Sequence, residues 1–156
     1  MSIKFTWKPF KKRAKQRAKE TDTNKTVGSV LRLDLPLLNI EHVKAKVDTG
    51  AFSGALHATQ MREITDKKGN KRLRFYALGK RSHKIETSDY HTRKVKSSSG
   101  HLSIRYAIDT QVTILGATYP ITLTLTDRKG MRYEMLIGRK FLRLHGFLVD
   151  VTRRSK

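Results

Sequence analysis

From Val27 onward the apolar residues of this chain recur at every second position, and no other feature narrows its possible folds as far. Val43, Ala45 and Val47 alternate with Lys44 and Lys46, and Leu73, Phe75 and Ala77 alternate with Arg72, Arg74 and Tyr76. Leu102, Ile104, Tyr106 and Ile108 repeat the pattern. Val112 and Ile114 follow, then Ile121, Leu123 and Leu125. A period of two sets one side chain on a core and the next in water, which is the pattern of a half-buried strand. Turn signals punctuate the runs at Lys68-Gly69-Asn70, Ser98-Ser99-Gly100, Leu115-Gly116-Ala117 and Arg128-Lys129-Gly130. Short strands with such punctuation predict an all-β sandwich or barrel. One stretch departs from it: Arg139 to Leu144, just after Gly138, predicts a short helix. Pro36 and Pro120 are expected at strand edges or in loops, where a missing amide donor breaks no ladder.

The 156 residues suffice for one domain, and a 37% hydrophobic share provides one modest core. Cysteine is absent, which excludes disulfides, thiolate metal sites and a cysteine nucleophile and fits a reducing compartment. No apolar run approaches the ~20 residues that span a bilayer. The N-terminus has no apolar stretch followed by a cleavage site. The expectation is a cytoplasmic protein without membrane contact.

The net charge of +21 is spread unevenly. Nine Lys and Arg against Glu20 and Asp22 put +7 in the first 27 residues and leave +14 for the remainder. We therefore divide the chain into a basic, flexible arm (1–26) and a folded domain (27–156). Phe5, Trp7 and Phe10 in the arm could stack on bases or pack on the domain. Such a surface attracts polyanions, nucleic acid or ribosomes among them, by releasing counterions. No zinc-finger spacing, RNP signature or helix-turn-helix pattern accompanies the charge, so sequence-specific reading of nucleic acid has no support.

Two short motifs carry the chemistry. Asp48-Thr49-Gly50, followed by Ala51, ends the first alternating strand. Met135-Leu136-Ile137-Gly138-Arg139 runs from an apolar strand into the helix. Together they resemble the retropepsin-type aspartic peptidases. A narrower pattern covers most of the chain: Lys44 to Ala51, Ala55-Leu56-His57-Ala58, Ser99-Gly100-His101, Arg105-Tyr106, Ile121 to Thr126, Ile137-Gly138-Arg139 and Phe147 to Asp150. It is similar to the bacterial retropepsin-like endopeptidases labelled "ATP-dependent zinc protease", which are associated with ATP-grasp glutamate ligases that modify a ribosomal protein.

The resemblance implies a closed β-barrel with one short C-terminal helix. It also implies peptide hydrolysis by two carboxylates that share one proton, one acting as base on water and the other polarising the scissile carbonyl. With a single Asp-Thr-Gly the second Asp48 must come from a homodimer. Thr49 would then hydrogen-bond across the two-fold axis, and Gly50 would let the backbones approach. Ala51 offers no hydroxyl to the carboxylate where Ser or Thr would, so cleavage is expected nearer neutral pH. Ser98, Ser99 and Gly100 are expected at the tip of a flap, in preference to the competing hairpin at Asp66 to Arg72. Ile137 and Gly138 would line the site beside Asp48, with Arg139 supporting it. His57 and His101 could lie near the cleft or simply be packed and surface histidines. Phe52 stands where retroviral relatives carry an Asp that pairs with the Gly-Arg arginine, so Arg139 needs another partner, Asp34 or Asp150 being candidates.

The label's zinc and ATP find no matching residues. His-Glu-x-x-His and Gly-x-x-x-x-Gly-Lys are both absent, and the six histidines (42, 57, 83, 91, 101, 145) have no metal-ligand spacing. We expect neither metal nor cofactor. Asp109-Thr110-Gln111 lacks the Gly and reads as structural. Two functions remain open: an aspartic endopeptidase acting on an acidic peptide or protein tail, and a non-catalytic peptidase-like module that docks on RNA, ribosomes or another anionic partner. Metal-dependent hydrolysis through scattered histidines ranks below both.

Overall fold

The computed structural model describes residues 25–97 and 99–153. Eleven strands and one α-helix follow in order: β1 (Thr26–Val27), β2 (Val30–Leu35), β3 (Ile40–Asp48), β4 (Gly54–Thr65), β5 (Lys71–Ala77), β6 (Lys84–Thr87), β7 (Tyr90–Lys96), β8 (Leu102–Ile114), β9 (Ala117–Thr126), β10 (Met135–Gly138), α1 (Arg139–His145) and β11 (Leu148–Val149). The arm's residues 1–24, with Phe5, Trp7 and Phe10, lie outside the described residues, as does the expected flap residue Ser98.

The main sheet runs β10-β3-β2-β8-β9-β4, and β10 also pairs with β4, so the pairings return to their starting strand. Its link between β2 and β8 is the pair Asp34↔Thr113. The alternating residues fill the inside of this circuit: Leu56, Val112, Ile114, Leu123, Leu125, Met135 and Ile137 are all buried. β5 and β6 extend from the far half of β4, beyond an irregularity in pairing between Thr59 and Arg62 where Gln60 has φ 51°. Pro120 sits opposite Gln111, on the stretch of β9 whose pairing with β4 has not yet begun, so its missing N–H interrupts no second ladder.

β4 is one of the strands that the period-two reading does not find. Gly54 to Ala58 are all buried, because β9 pairs along one edge and β10 along the other and both faces are covered. Alternation disappears when neither face meets water.

The helix begins where the sequence predicts and sends Phe141 and Leu142 inward. Phe141, Phe147, Tyr119 and His145 form an aromatic cluster, with Phe141 and Phe147 stacked at 5.7 Å. β1 and β11 then pair in parallel, Thr26↔Leu148 and Val27↔Val149, and the Leu148 amide donates to the Lys25 carbonyl. Lys25 and Thr26 thus take part in the fold.

Candidate active site

Asp48 is the last residue of β3, where β10 runs parallel to it and Gly138 is its register partner. The chain leaves β3 in a tight loop that folds back on the carboxylate. Asp48 Oδ1 accepts from the backbone N–H groups of Gly50 and Ala51, at 3.1 Å each. Ala51 thus donates through its amide, although it has no hydroxyl. Thr49 and Gly50 are exposed, and the Thr49 hydroxyl makes no hydrogen bond among the described residues.

The Gly138-Arg139 dipeptide braces this loop. A Cβ on Gly138 would lie 2.6 Å from the Ser53 carbonyl group and 2.8 Å from the Phe52 oxygen, so only glycine lets the end of β10 pass this close. The first amides of α1 then find their acceptors in the loop: Arg139 N–H donates to the Ala51 carbonyl at 2.8 Å, and Lys140 N–H to that of Phe52 at 3.0 Å. These groups have no partner inside the helix. Arg139 Nη1 donates to the Gly50 carbonyl at 2.8 Å, and its guanidinium lies 5.7 Å from the centre of the Phe52 ring. Neither Asp34 nor Asp150 is its partner. Asp34 accepts from the His42 amide, and Asp150 accepts from Thr152 and pairs with Arg153. Phe52 keeps contact with the arginine as a ring instead of a carboxylate. Ile137 is fully buried on the core side of β10, directly beneath the loop.

The β7–β8 hairpin is closed at Ser97–His101: Ser97 N–H donates to the His101 carbonyl, and Gly100, at φ 84°, donates to that of Ser97. Ser99 Oγ bonds Ser97 Oγ at 2.9 Å. The competing hairpin between β4 and β5 is closed by Asp66, whose carboxylate accepts from Lys68 and Asn70 and is held below its ordinary range by the Asn70 amide. His101 is exposed in the flap-like turn. His57 is buried. Its Nδ1 accepts from the Arg128 amide at 2.9 Å, and Gly79 approaches its Nε2 so closely that a Cβ there would lie at 2.9 Å. This histidine anchors the loop between β9 and β10. Among the described residues no group of three or more His, Asp or Glu side chains is placed to hold a metal ion.

Register continues the Asp48 side of the sheet across four more strands. Lys46 is level with Leu136, Leu136 with Ala55, Ala55 with Thr124 and Thr124 with Ala107. Partners in register share a face, and two residues farther along β8 the same face carries Arg105, opposite Arg93 of β7. Arg128 belongs with them. Burial pushes its guanidinium below the usual range, Arg105 adds to the push and Asp48 opposes it. Arg93 and Arg128 are functional candidates that the motif reading missed, and Arg105 stood in the narrower pattern without an assigned role. No spacing in the sequence joins them; they are brought together only once the strands are in register.

A strand ending in Asp-Thr-Gly, with the loop held by a Gly-Arg helix start, defines the aspartic peptidase class of folds. The chain belongs to the family described as retropepsin-like aspartic endopeptidase RimB, which it matches over residues 26–155. It is 32% identical over 125 residues to a probable alpha-L-glutamate ligase of Shewanella halifaxensis, covering 77% of this chain and 27% of that protein. A probable alpha-L-glutamate ligase of Parasynechococcus marenigrum is 34% identical over 120 residues, 73% of this chain and 25% of the relative. The chain therefore spans about a quarter of the length of these curated relatives. A crystal structure of a Legionella pneumophila protein of unknown function superposes with a TM-score of 0.67 at 28% identity, covering 86% of this chain and 98% of the other. The fold is mostly β with a single short helix among the described residues, and no helix in them is long and apolar enough to cross a membrane.

Proposed function

We propose that this chain is a cytoplasmic aspartic endopeptidase whose catalytic pair is Asp48 of each of two identical subunits. The observation that carries the reading is the loop itself. One carboxylate oxygen of Asp48 is fixed by two backbone amides, and the loop is held from behind by Gly138 and Arg139 while Thr49 and Gly50 face outward. In a two-fold dimer the outward Thr49 hydroxyls bond across the axis, the Gly50 backbones come together, and the two carboxylates share one proton. One acts as general base on water while the other polarises the carbonyl, with no covalent intermediate. The pairing circuit is then a closed retropepsin-type barrel, and the turn Ser97 to Gly100, with Ser98 in it, is the flap.

The substrate class follows from charge. A surface this basic draws an acidic peptide towards the cleft. The relatives it matches are named for ligating glutamate, and a glutamate-extended protein tail, on a ribosome for example, is the product of such ligation that a peptidase would take as substrate. The alternative, a non-catalytic module docking on RNA or ribosomes, is favoured by the same charge alone. Light scattering separates the two readings at the first step: the endopeptidase requires a particle of twice 17.9 kDa. A strict monomer at assay concentrations overturns it.

A further inference from the structure

Among the described residues three cross-strand pairs set two cations directly opposite one another: Arg32↔Lys44, Arg62↔Arg74 and Arg93↔Arg105. Like charges in that position destabilise a sheet, so each pair calls for an anion. At the second pair the fold supplies one, since Arg74 Nε donates to Glu86 at 2.8 Å. At the first, on exposed strand surface, and at the third no carboxylate pairs with either cation among the described residues. Arg93 Nε donates to His91 Nε2 at 3.1 Å, the other ring nitrogen lying 4.0 Å from the Asp109 carboxylate, and Arg105 Nε donates to Ser103 Oγ at 3.2 Å. Among the described residues neither guanidinium has a carboxylate within 4.0 Å, and their Nη groups donate to nothing. A guanidinium anchored at Nε still presents its outer N–H fork to a carboxylate.

Arg93 and Arg105 share with Asp48 the outward face of the pairing circuit, as traced above through register. Arg105 also lines a cavity of about 540 Å³ with Thr92, Tyr106, Leu125 and Asp127. Arg128, within electrostatic range of both Arg105 and Asp48, stands in the loop anchored by His57 and donates from Nε to the Tyr133 carbonyl at 3.1 Å. Asp127, at the mouth, is engaged by the Lys129 amide and lies 3.6 Å from His57 Nδ1.

We infer that Arg93 and Arg105, backed by Arg128, form a subsite that binds a carboxylate side chain of the peptide lying across Asp48. The inference rests on the endopeptidase reading and assigns specificity within that site. The missing anion of the hairpin is then part of the substrate.

The test measures binding to the Asp48→Asn chain, so that hydrolysis is not required. Two fluorescent peptides, one glutamate-rich and one with glutamine in the same positions, are titrated by anisotropy. The glutamate peptide should bind about tenfold more tightly. Arg105→Gln, or Arg93→Gln should the first fold poorly, should bring that ratio towards one, whereas Arg62→Gln, at the pair the fold already serves, should leave it alone. Removing one of two opposed charges should not lower the melting temperature, which separates a lost subsite from a lost fold. A ratio unchanged by Arg105→Gln overturns the inference. So does displacement of the peptide by an oligonucleotide in an Arg105-dependent manner, which would make this a phosphate site. Arginine-dependent binding without hydrolysis by the natural chain would defeat the endopeptidase and spare the subsite. Hydrolysis of both peptides alike, with an unchanged ratio, would do the reverse.

Discussion

Asp48-Thr49 and Asp109-Thr110 are the same dipeptide preceded by comparable alternating residues, and the fold treats them in opposite ways. Asp109 is in the middle of β8, its carboxylate accepting the Thr122 hydroxyl of the neighbouring strand at 2.5 Å. Thr110 is buried, and its hydroxyl has no hydrogen-bond partner among the described residues. Asp48 instead meets two backbone amides in a turn, and Thr49 is exposed. What separates them is the third residue. At Gly50 a Cβ would lie 3.3 Å from Asp48 Oδ1, so its absence leaves room for the carboxylate against the loop, whereas Gln111 continues the strand and pairs with Pro120. On the proposed endopeptidase reading each chain supplies one carboxylate, Asp48, and the dyad would be assembled from two chains.

The largest effect expected from this contrast is on activity. Asp48→Asn should lower peptide hydrolysis by about a thousandfold or more while the melting temperature and circular dichroism stay unchanged. Asp109→Asn should leave hydrolysis of the same peptide within a few fold. Equal losses from the two would erase the distinction.

Next in size is the brace behind the Asp48 loop. Gly138→Ala would force a Cβ to within 2.6 Å of the Ser53 backbone. Overpacking against main chain has no easy relief, so urea unfolding should report a loss of about 3 kcal/mol, with activity falling alongside. An unaffected midpoint would mean that the loop is not held from this side.

Much of this was legible in the sequence, and for identifiable reasons. β3, β5, β8 and β9 each keep one face in water or partly so, and their alternation survives. β4 lost it by being buried on both sides, and β7 has Arg93 where a core strand would carry an apolar residue. The Asp48 loop and the Gly-Arg brace follow from contiguous motifs. Arg139's partners did not, because they are carbonyl oxygens and the ring of Phe52, which no spacing of carboxylates announces. Arg93, Arg105 and Arg128 come together only through register between strands and the His57 anchor.

A smaller effect tests the other half of the comparison. Thr110→Val keeps the β-branched shape and removes a buried hydroxyl without a partner, so it should stabilise the protein by about 0.5–1 kcal/mol in urea unfolding. Destabilisation would show that the hydroxyl is satisfied and that Asp109-Thr110 has a role beyond the strand.

The smallest lies away from both aspartates. Burial pushes His145 below its ordinary 6.5, the Pro120 carbonyl opposing and Lys25 adding to the push. The folded chain then binds this proton less readily than the unfolded one. The stability involved is fully present above about pH 6.5 and is lost as pH falls through the lower folded value. Melting temperature followed downward from neutrality should therefore drop more steeply for the natural chain than for His145→Gln. Parallel curves would contradict it.

The shared dyad is tested most directly by refolding natural and Asp48→Asn chains together in varied proportion. If both carboxylates of a dimer are needed, activity per natural chain declines with the fraction of natural chains, and total activity follows the square of that fraction. Activity per natural chain that stays constant as Asp48→Asn is added would mean that a single Asp48 acts alone, and the dimeric mechanism would be wrong.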